Sequence, residues 1–131
     1  SYIQNHGASL NIINQLARPK ALIHKESLIG AVLNLVINAL QAEAKNIEIR
    51  LASEEGSGIQ IVVEDNGLGM AEPIKAQALQ PFFTTKAKGT GLGLAVVFSV
   101  IKAHGGHVVL ESSLGKGTQV SLYLPSKEYI R

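Results

Sequence analysis

The sequence contains no cysteine. This absence excludes a disulfide framework and a thiolate metal site, and it fits a reducing compartment. No apolar run approaches the roughly 20 residues that a membrane-spanning helix needs, and the first residues lack the pattern of a signal peptide. The net charge is only +2, and the 12 Lys and Arg residues are scattered along the chain. Because nucleic-acid binders usually concentrate their basic residues on one face, we expect neither a nucleic-acid partner nor contact with a membrane.

The length and composition are those of one globular domain. The chain has 131 residues, of which 46% are hydrophobic and 17% are charged, and a domain of this size can bury a real core. We expect the domain to occupy residues 8–126. Residues 1–7 are predicted to be a linker or the stub of a preceding domain, and residues 127–131 a polar tail.

Hydrophobic periodicity predicts both helices and strands. Apolar residues at i, i+3, i+4 and i+7 predict helices over residues 26–44 and 92–104, the second ended by Gly105 and Gly106. A short helix interrupted by Pro73 is predicted within residues 70–79. Short alternating or continuous apolar runs predict strands over residues 9–16, 21–24, 46–51, 59–65, 107–112 and 119–124. The order of these elements predicts an α/β sandwich with helices packed on one face of a mixed sheet.

A first glycine cluster, Asp65-Asn66-Gly67-Leu68-Gly69, directly follows the apolar strand at residues 59–65. Asp-Asn-Gly is typical of a hairpin turn, but no second alternating strand comes immediately after it. A carboxylate at the end of a strand can instead accept a hydrogen bond from the exocyclic amine of a purine, while the glycines let the backbone approach closely. The motif alone leaves both interpretations open.

A second glycine cluster, Gly89-Thr90-Gly91-Leu92-Gly93-Leu94, opens directly onto the second predicted helix. It matches neither the dinucleotide-binding fingerprint nor the P-loop. It does bring several backbone N–H groups to a helix N-terminus, where the unpaired donors and the helix dipole favour phosphate. A flexible glycine linker is the alternative that this motif alone leaves open.

Two asparagines lie one turn apart in the first predicted helix. Asn34 and Asn38 therefore share one helix face, although asparagine is a poor residue for a helix interior. The pair could be a buried polar pair whose hydrogen bonds are satisfied, which is the usual case. It could also supply carbonyl oxygens to a hydrated Mg²⁺, an ion that prefers hard oxygen ligands.

Taken together, these segments resemble the characteristic boxes of bacterial sensor histidine kinases. Asn34–Ala39 resembles the N box, Asp65–Met70 the G1 box, Pro81–Lys86 the F box and Gly89–Leu94 the G2 box. Gly115-Lys116-Gly117-Thr118 looks like the closing hairpin of the same family. The wording of the F and G2 boxes is most similar to the nitrogen-regulatory and flagellar-regulatory kinases that pair with sigma-54 activators.

The resemblance implies the ATP-binding Bergerat fold that is shared with gyrase B, Hsp90 and MutL. In this fold a mixed, mainly antiparallel sheet of about five strands is covered by about three helices, and residues 70–90 would form an ATP lid. The implied cofactors are ATP and Mg²⁺. The implied function is transfer of the γ-phosphate to a histidine on a separate dimerisation and phosphoacceptor domain, for onward transfer to a response regulator. Such a domain would work in the cytoplasm.

The resemblance also implies roles for single residues. Asp65 would accept the adenine amino group beside Gly67 and Gly69, and Thr118 would support the adenine end. Asn38, together with Asn34, would hold Mg²⁺, and these two asparagines and Lys86 would be the catalytic residues. The other residues implied to bind nucleotide are Ala42, Met70, Phe83, Thr85, Gly89, Thr90, Gly91, Leu92, Gly93 and Leu94.

One position separates a kinase from an ATPase. In gyrase, Hsp90 and MutL the residue four before the Mg²⁺ asparagine is a glutamate that activates water, whereas Asn34 cannot act as a general base. Gln41 stands where many sensor kinases carry a lysine, a contact that Lys86 could replace. None of the four histidines lies in a phosphoacceptor box. The alternatives that stay open are a partner-switching anti-sigma serine kinase and a nucleotide-sensing module without transfer activity.

Overall fold

The structure, a computed structural model, describes residues 7–15, 25–53, 58–78 and 92–125. The helices and strands in these ranges are β1 (Ser9–Gln15), α1 (Lys25–Gln41), β2 (Asn46–Ser53), β3 (Ile59–Asp65), α2 (Glu72–Ala78), α3 (Leu92–Ala103), β4 (His107–Ser113) and β5 (Gly117–Leu124). The two predicted long helices and all but one of the predicted strands are therefore confirmed. The remaining predicted strand, at residues 21–24, lies outside the described residues.

The C-terminal end of α1 shows why the helix predicted over residues 26–44 is too long. Glu43 adopts the left-handed region with a φ of 63°, and the Ala44 N–H donates to the Ala39 carbonyl at 3.0 Å. This arrangement commonly ends helices, and its left-handed residue is usually glycine. Because a glutamate stands there, the sequence carries no stop signal. α3 ends in the same way at Gly105, which has a φ of 77°, so the predicted glycine stop is confirmed.

Pro73 does not interrupt the short helix α2, and that prediction is wrong. The helix begins at Glu72, so the proline lies in its first turn. The first hydrogen bond after it runs from the Lys75 N–H to the Ala71 carbonyl at 2.9 Å. The N–H groups of a first helical turn have no partner within the helix, so a proline costs little there.

The strands form one sheet in the order β1-β2-β3-β5-β4. β1 and β2 are parallel, whereas the other three neighbouring pairs are antiparallel. α1 and α3 pack against each other and against the sheet, which confirms the predicted two-layer sandwich with a mixed, mainly antiparallel sheet of five strands. Within the described ranges, no helix has both the length and the apolar character needed to cross a membrane.

The core lies between the sheet and these two helices. Alternate residues of the central strands β2, β3 and β5 face it, and the buried ones include Ile47, Ile49, Ile61, Val63, Val120 and Leu122. Val97 and Ile101 of α3 are completely buried against them. Full burial of each such side chain contributes about 1.5–3 kcal/mol, so this layer fixes the helices over the sheet.

Candidate functional site

On the core-facing side of the sheet, residues that are neighbours across β3, β5 and β4 form rows. Most rows are apolar, but the row at one end of the sheet is polar. In the preceding row, Val63 of β3 pairs with Val120 of β5, and Leu110 pairs with Val120 from β4. One step further, Asp65 pairs with Thr118, and Thr118 pairs with Ser112. Since alternate residues of a strand face the same side, these three polar side chains continue the core face. The sheet register thus brings the predicted residues Asp65 and Thr118 together.

The Asp65 carboxylate is half-buried and is held by backbone donors. Its Oδ1 accepts the Gly67 N–H at 2.8 Å, and the carboxylate also accepts the backbone N–H of Thr118. Burial raises the pKa of Asp65 above its ordinary value, the two N–H groups partly oppose the rise, and the neighbouring charge of Glu64 adds to it. A carboxylate has about four lone-pair sites, so two donors leave it free to accept from a ligand.

Glu64, the acidic neighbour of Asp65, belongs to the opposite face of the sheet. It pairs with Arg50 at 2.8 Å, and the same guanidinium contacts Glu48. Both acidic side chains are exposed by a third or more, so the cluster stabilises the fold only slightly. Of the two adjacent carboxylates, only Asp65 therefore faces the polar row.

Leu68 ties the loop after β3 to two other parts of the fold. Its N–H donates to the Ala42 carbonyl at 2.8 Å, and its carbonyl accepts the Gly115 N–H at 2.7 Å. The loop is thus held between the C-terminal end of α1 and the turn that joins β4 to β5. Ala42, predicted as a nucleotide-binding residue, contacts the loop through its backbone carbonyl.

Asn66 holds the start of the same loop with its side chain. Its Oδ1 accepts the N–H of Lys45 at 2.9 Å and that of Asn46 at 2.8 Å, the two residues that lead into β2. The sequence does not predict this role, because there Asn66 is simply part of an Asp-Asn-Gly turn. Asparagine commonly bonds backbone groups near turns, but here the partners are about 20 residues away in the chain, which a local pattern does not reveal.

The glycines of the loop allow close approach between parts of the protein itself. A Cβ at Gly67 would lie 2.6 Å from the Ala42 carbonyl oxygen. Gly69 has a φ of 70°, and a Cβ there would lie 2.9 Å from the Gly117 carbonyl oxygen and would meet the Ser113 carbonyl more closely still. Real Cβ atoms essentially never approach within 3.0 Å, so no other residue fits these two positions without a shift of the backbone.

Ser112 completes the polar row, and no motif of the sequence predicts it as a site residue. It is 8% exposed, and its Oγ accepts the Met70 N–H at 2.8 Å. The same oxygen lies 3.0 Å from the Gly117 carbonyl and 2.9 Å from the Thr118 hydroxyl. The available signal is the alternation of β4, because Val108, Leu110 and Ser112 share one face and only the last of them is polar.

Asn34 and Asn38 are half-buried on one face of α1. Among the described residues, no side-chain hydrogen bond involves either amide, and no buried side-chain oxygen or nitrogen lacks a partner. Within this part of the chain, both amides are therefore available to solvent or to a ligand. Ala42 lies one turn beyond Asn38 and abuts Gly67, so this face of the helix leads toward the polar row.

The donors present here fit a hydrated Mg²⁺ better than a transition metal. The described residues include no group of three or more His, Cys, Asp or Glu side chains that could hold an ion. Amide oxygens are hard, neutral ligands, and Mg²⁺ is commonly held by few protein groups together with waters and substrate phosphates. The two asparagines fit that kind of site.

The remaining predicted residues belong to the phosphate end. Phe83, Thr85, Lys86, Gly89, Thr90 and Gly91 lie outside the described residues. Leu92 and Gly93 form the first residues of α3, so the predicted start of the helix at the second glycine cluster is confirmed. Leu94 is half-buried and packs against the core, which gives it a structural role in addition to the predicted one.

Comparison with known proteins identifies the fold. The model of the family described as histidine kinase-, DNA gyrase B- and HSP90-like ATPases matches residues 23–128. The chain belongs to this family. It is thus an ATP-binding domain, and the predicted resemblance is confirmed.

Two curated relatives carry the names of histidine kinases. The chain is 43% identical over 108 residues to the sensor histidine kinase ZraS of Escherichia coli strain K12, covering 82% of the chain and 23% of ZraS. It is 38% identical over 122 residues to the signal transduction histidine-protein kinase AtoS of the same strain, covering 90% of the chain and 20% of AtoS. The chain therefore spans less than a quarter of the length of either relative.

A solved structure shows the same fold with a nucleotide analogue. Full-length ShkA in complex with AMPPNP superposes with a TM-score of 0.77 and 27% sequence identity, over 95% of this chain and 27% of the ShkA chain. A five-stranded mixed sheet with helices on one face is thus the architecture of histidine kinase catalytic domains.

Proposed function

We propose that this domain binds Mg-ATP and donates the γ-phosphate to a histidine on a separate dimerisation and phosphoacceptor domain of the same kinase. The phosphoryl group would then pass to a response regulator. The observation that carries this proposal is the polar row of Asp65, Thr118 and Ser112. It lies beside helix α1, which bears two asparagines and has an asparagine instead of a general base at position 34.

At the adenine end, Asp65 selects the base. Its carboxylate accepts the exocyclic amino group of adenine, with Thr118 beside it. A guanine would present a carbonyl oxygen to the carboxylate, so two acceptors would face each other without a proton. A buried mismatch of this kind rejects the wrong ligand strongly.

At the magnesium end, Asn38 and Asn34 act through their amide oxygens. These oxygens would hold Mg²⁺, which when bound would supply positive charge to the phosphate oxygens. Because Asn34 replaces the glutamate of the related ATPases, water near the γ-phosphate is not deprotonated by this residue. Phosphoryl transfer depends mainly on positioning and charge neutralisation, so the domain can serve a nucleophile that another domain supplies.

At the phosphate end, the second glycine cluster and Lys86 complete the site. Gly89, Gly91 and Gly93 precede or begin α3, whose N-terminal N–H groups favour an anion. Phe83, Thr85 and Thr90 are part of the same proposal, as are Leu92 and Leu94. Lys86 would supply the positive charge that Gln41 does not.

We also propose the bounds and the cellular setting of the domain. The nucleotide-binding unit would occupy residues 8–126, flanked by a linker at 1–7 and a tail at 127–131. It would work in the cytoplasm, where ATP and a response regulator are available. The relatives ZraS and AtoS support placing it among the kinases that pair with sigma-54 activators.

The test adds a separately produced histidine-bearing helical domain to the chain in the presence of ATP labelled at the γ-phosphate. Acid-labile, base-stable label on histidine supports the proposal. Label on a serine of a partner protein would indicate the partner-switching kinase instead, and ATP binding without transfer would indicate a sensing module. Asp65→Asn should lose the transfer, whereas the matched control Glu64→Gln, which changes a carboxylate on the opposite face of the sheet, should keep it.

A further inference from the structure

The hydroxyl group of Ser112 makes three hydrogen-bonding contacts, which is its full capacity. A serine hydroxyl has one proton to donate and two lone pairs that accept. Met70 offers an N–H at 2.8 Å and therefore takes one lone pair. The Gly117 carbonyl lies 3.0 Å away and can only accept. The third contact, with the Thr118 hydroxyl at 2.9 Å, could run in either direction.

The other two contacts decide the direction of the third. If the Ser112 proton goes to the Gly117 carbonyl, one lone pair of Ser112 remains, and only a donor can use it. The Thr118 hydroxyl must then donate its own proton to Ser112. Its oxygen is left with lone pairs alone for any ligand, so it can accept but not donate.

We propose that Ser112 is a positioning residue for base selection, which acts by holding the Thr118 proton away from the ligand. Thr118 is the direct register partner of Asp65, so its hydroxyl lies beside a carboxylate that is also only an acceptor. The Asp65 carboxylate and the Thr118 hydroxyl oxygen would then both present hydrogen-bond acceptors to the 6-position of the purine. An amino group there is favoured, and a 6-oxo group is rejected by both.

This inference rests on the proposed nucleotide site and adds a residue to it. Ser112 also links the loop after β3, through Met70, to the β4–β5 hairpin, through Gly117. A purely structural role would weaken every nucleotide equally when the serine is changed. If Ser112 instead sets the direction in which Thr118 donates its proton, changing the serine alters the affinity for a 6-amino base relative to that for a 6-oxo base.

The test compares ATP with inosine triphosphate, which carries an oxygen in place of the 6-amino group. Calorimetry with the whole chain gives both affinities for the wild type and for Ser112→Ala. Without Ser112, the Thr118 proton becomes free to donate to the 6-oxygen. We expect the ratio of ATP affinity to inosine triphosphate affinity to fall about tenfold, roughly the worth of one hydrogen bond that changes direction.

Further variants serve as controls for this measurement. Ser112→Thr keeps the hydroxyl and should restore the wild-type ratio, and Ser113→Ala, an exposed neighbour in the same hairpin, should leave it unchanged. If Ser112→Ala does not fold, Ser112→Cys keeps the volume while its thiol is a weak acceptor, and it should lower the ratio in the same way. An unchanged or increased ratio in the folded variant would overturn the inference. A wild-type chain that binds no ATP would instead refute the proposed function.

Discussion

Gly69 and Gly115 offer a controlled test of how the loop after β3 is built. Both adopt a left-handed conformation, with φ of 70° and 81° respectively. A Cβ at Gly115 would meet nothing within 4 Å, whereas a Cβ at Gly69 would collide with the carbonyl groups of Ser113 and Gly117. Alanine at either position therefore carries the same conformational strain, and only at Gly69 does it also collide with backbone.

The expected magnitudes follow from these surroundings. A left-handed alanine costs about 1–2 kcal/mol, which is the whole expected effect of Gly115→Ala. Gly69→Ala has the same cost, and the loop must also move away from the hairpin. Such a shift strains the 2.8 Å bond from the Met70 N–H to Ser112 and the 2.7 Å bond from Gly115 to Leu68. Since each bond is worth about 1 kcal/mol, we expect a total loss of at least about 3 kcal/mol.

The assay is urea unfolding of both variants, followed by calorimetry with ATP under conditions in which each is folded. Gly115→Ala should retain most of its nucleotide affinity, because the polar row is undisturbed. Gly69→Ala should lose affinity together with stability, because its loop carries Gly67, which holds Asp65. If Gly69→Ala were no less stable than Gly115→Ala, the close packing of loop and hairpin would be refuted.

Three further predictions concern the charged and amide groups. Asp65→Asn should lower ATP affinity by at least about tenfold, the worth of a charge-assisted bond, while Glu64→Gln leaves it unchanged; equal calorimetric affinities of the two variants would contradict the role of Asp65. Asn38→Ala should slow phosphoryl transfer and weaken the Mg²⁺ dependence of ATP binding, so transfer at the wild-type rate would indicate a structural asparagine. Because the folded pKa of Asp65 is raised, its contribution to stability is present below the ordinary pKa of about 3.9 and is lost as the pH rises through the folded value. In thermal unfolding, the stability of Asp65→Asn relative to the wild type should therefore increase as the pH rises across that interval. A decrease in its relative stability there would refute the burial argument.

The sequence predicts the sheet well because alternation is a local property. The strands at residues 59–65 and 119–124 alternate or run apolar, and their pairing places Asp65 next to Thr118 once the sheet forms. The resemblance to sensor histidine kinases points to the same two residues. It does not point to Ser112, because the contribution of this buried hydroxyl depends on three partners from two other segments, the loop after β3 and strand β5.

The errors have the same origin. α1 ends at Gln41, just before the left-handed Glu43, although glutamate is not a stop signal, because contacts that include the Leu68–Ala42 hydrogen bond stabilise the turn there. Pro73 resembles an interruption in the sequence, since its position within the first turn of α2 depends on where the loop after β3 ends. A long-range hydrogen bond lies next to each boundary, from Leu68 to Ala42 after α1 and from Met70 to Ser112 before α2, and local propensity does not contain such bonds.

The charge of Asp65 disfavours folding but favours the binding of a ligand that donates a hydrogen bond. Burial disfavours its charge, and the two backbone N–H groups that it accepts offset this only in part, because the pKa remains raised. An uncharged residue would cost the fold less, so the stability of the sheet does not explain a carboxylate at this point. A ligand that donates a hydrogen bond to it would explain the carboxylate, since the adenine amino group would add the donor that the carboxylate lacks. On the proposed function, nucleotide would therefore stabilise the ionised form. ATP should bind most tightly above the raised pKa, where Asp65 is charged and contributes least to the stability of the unliganded fold.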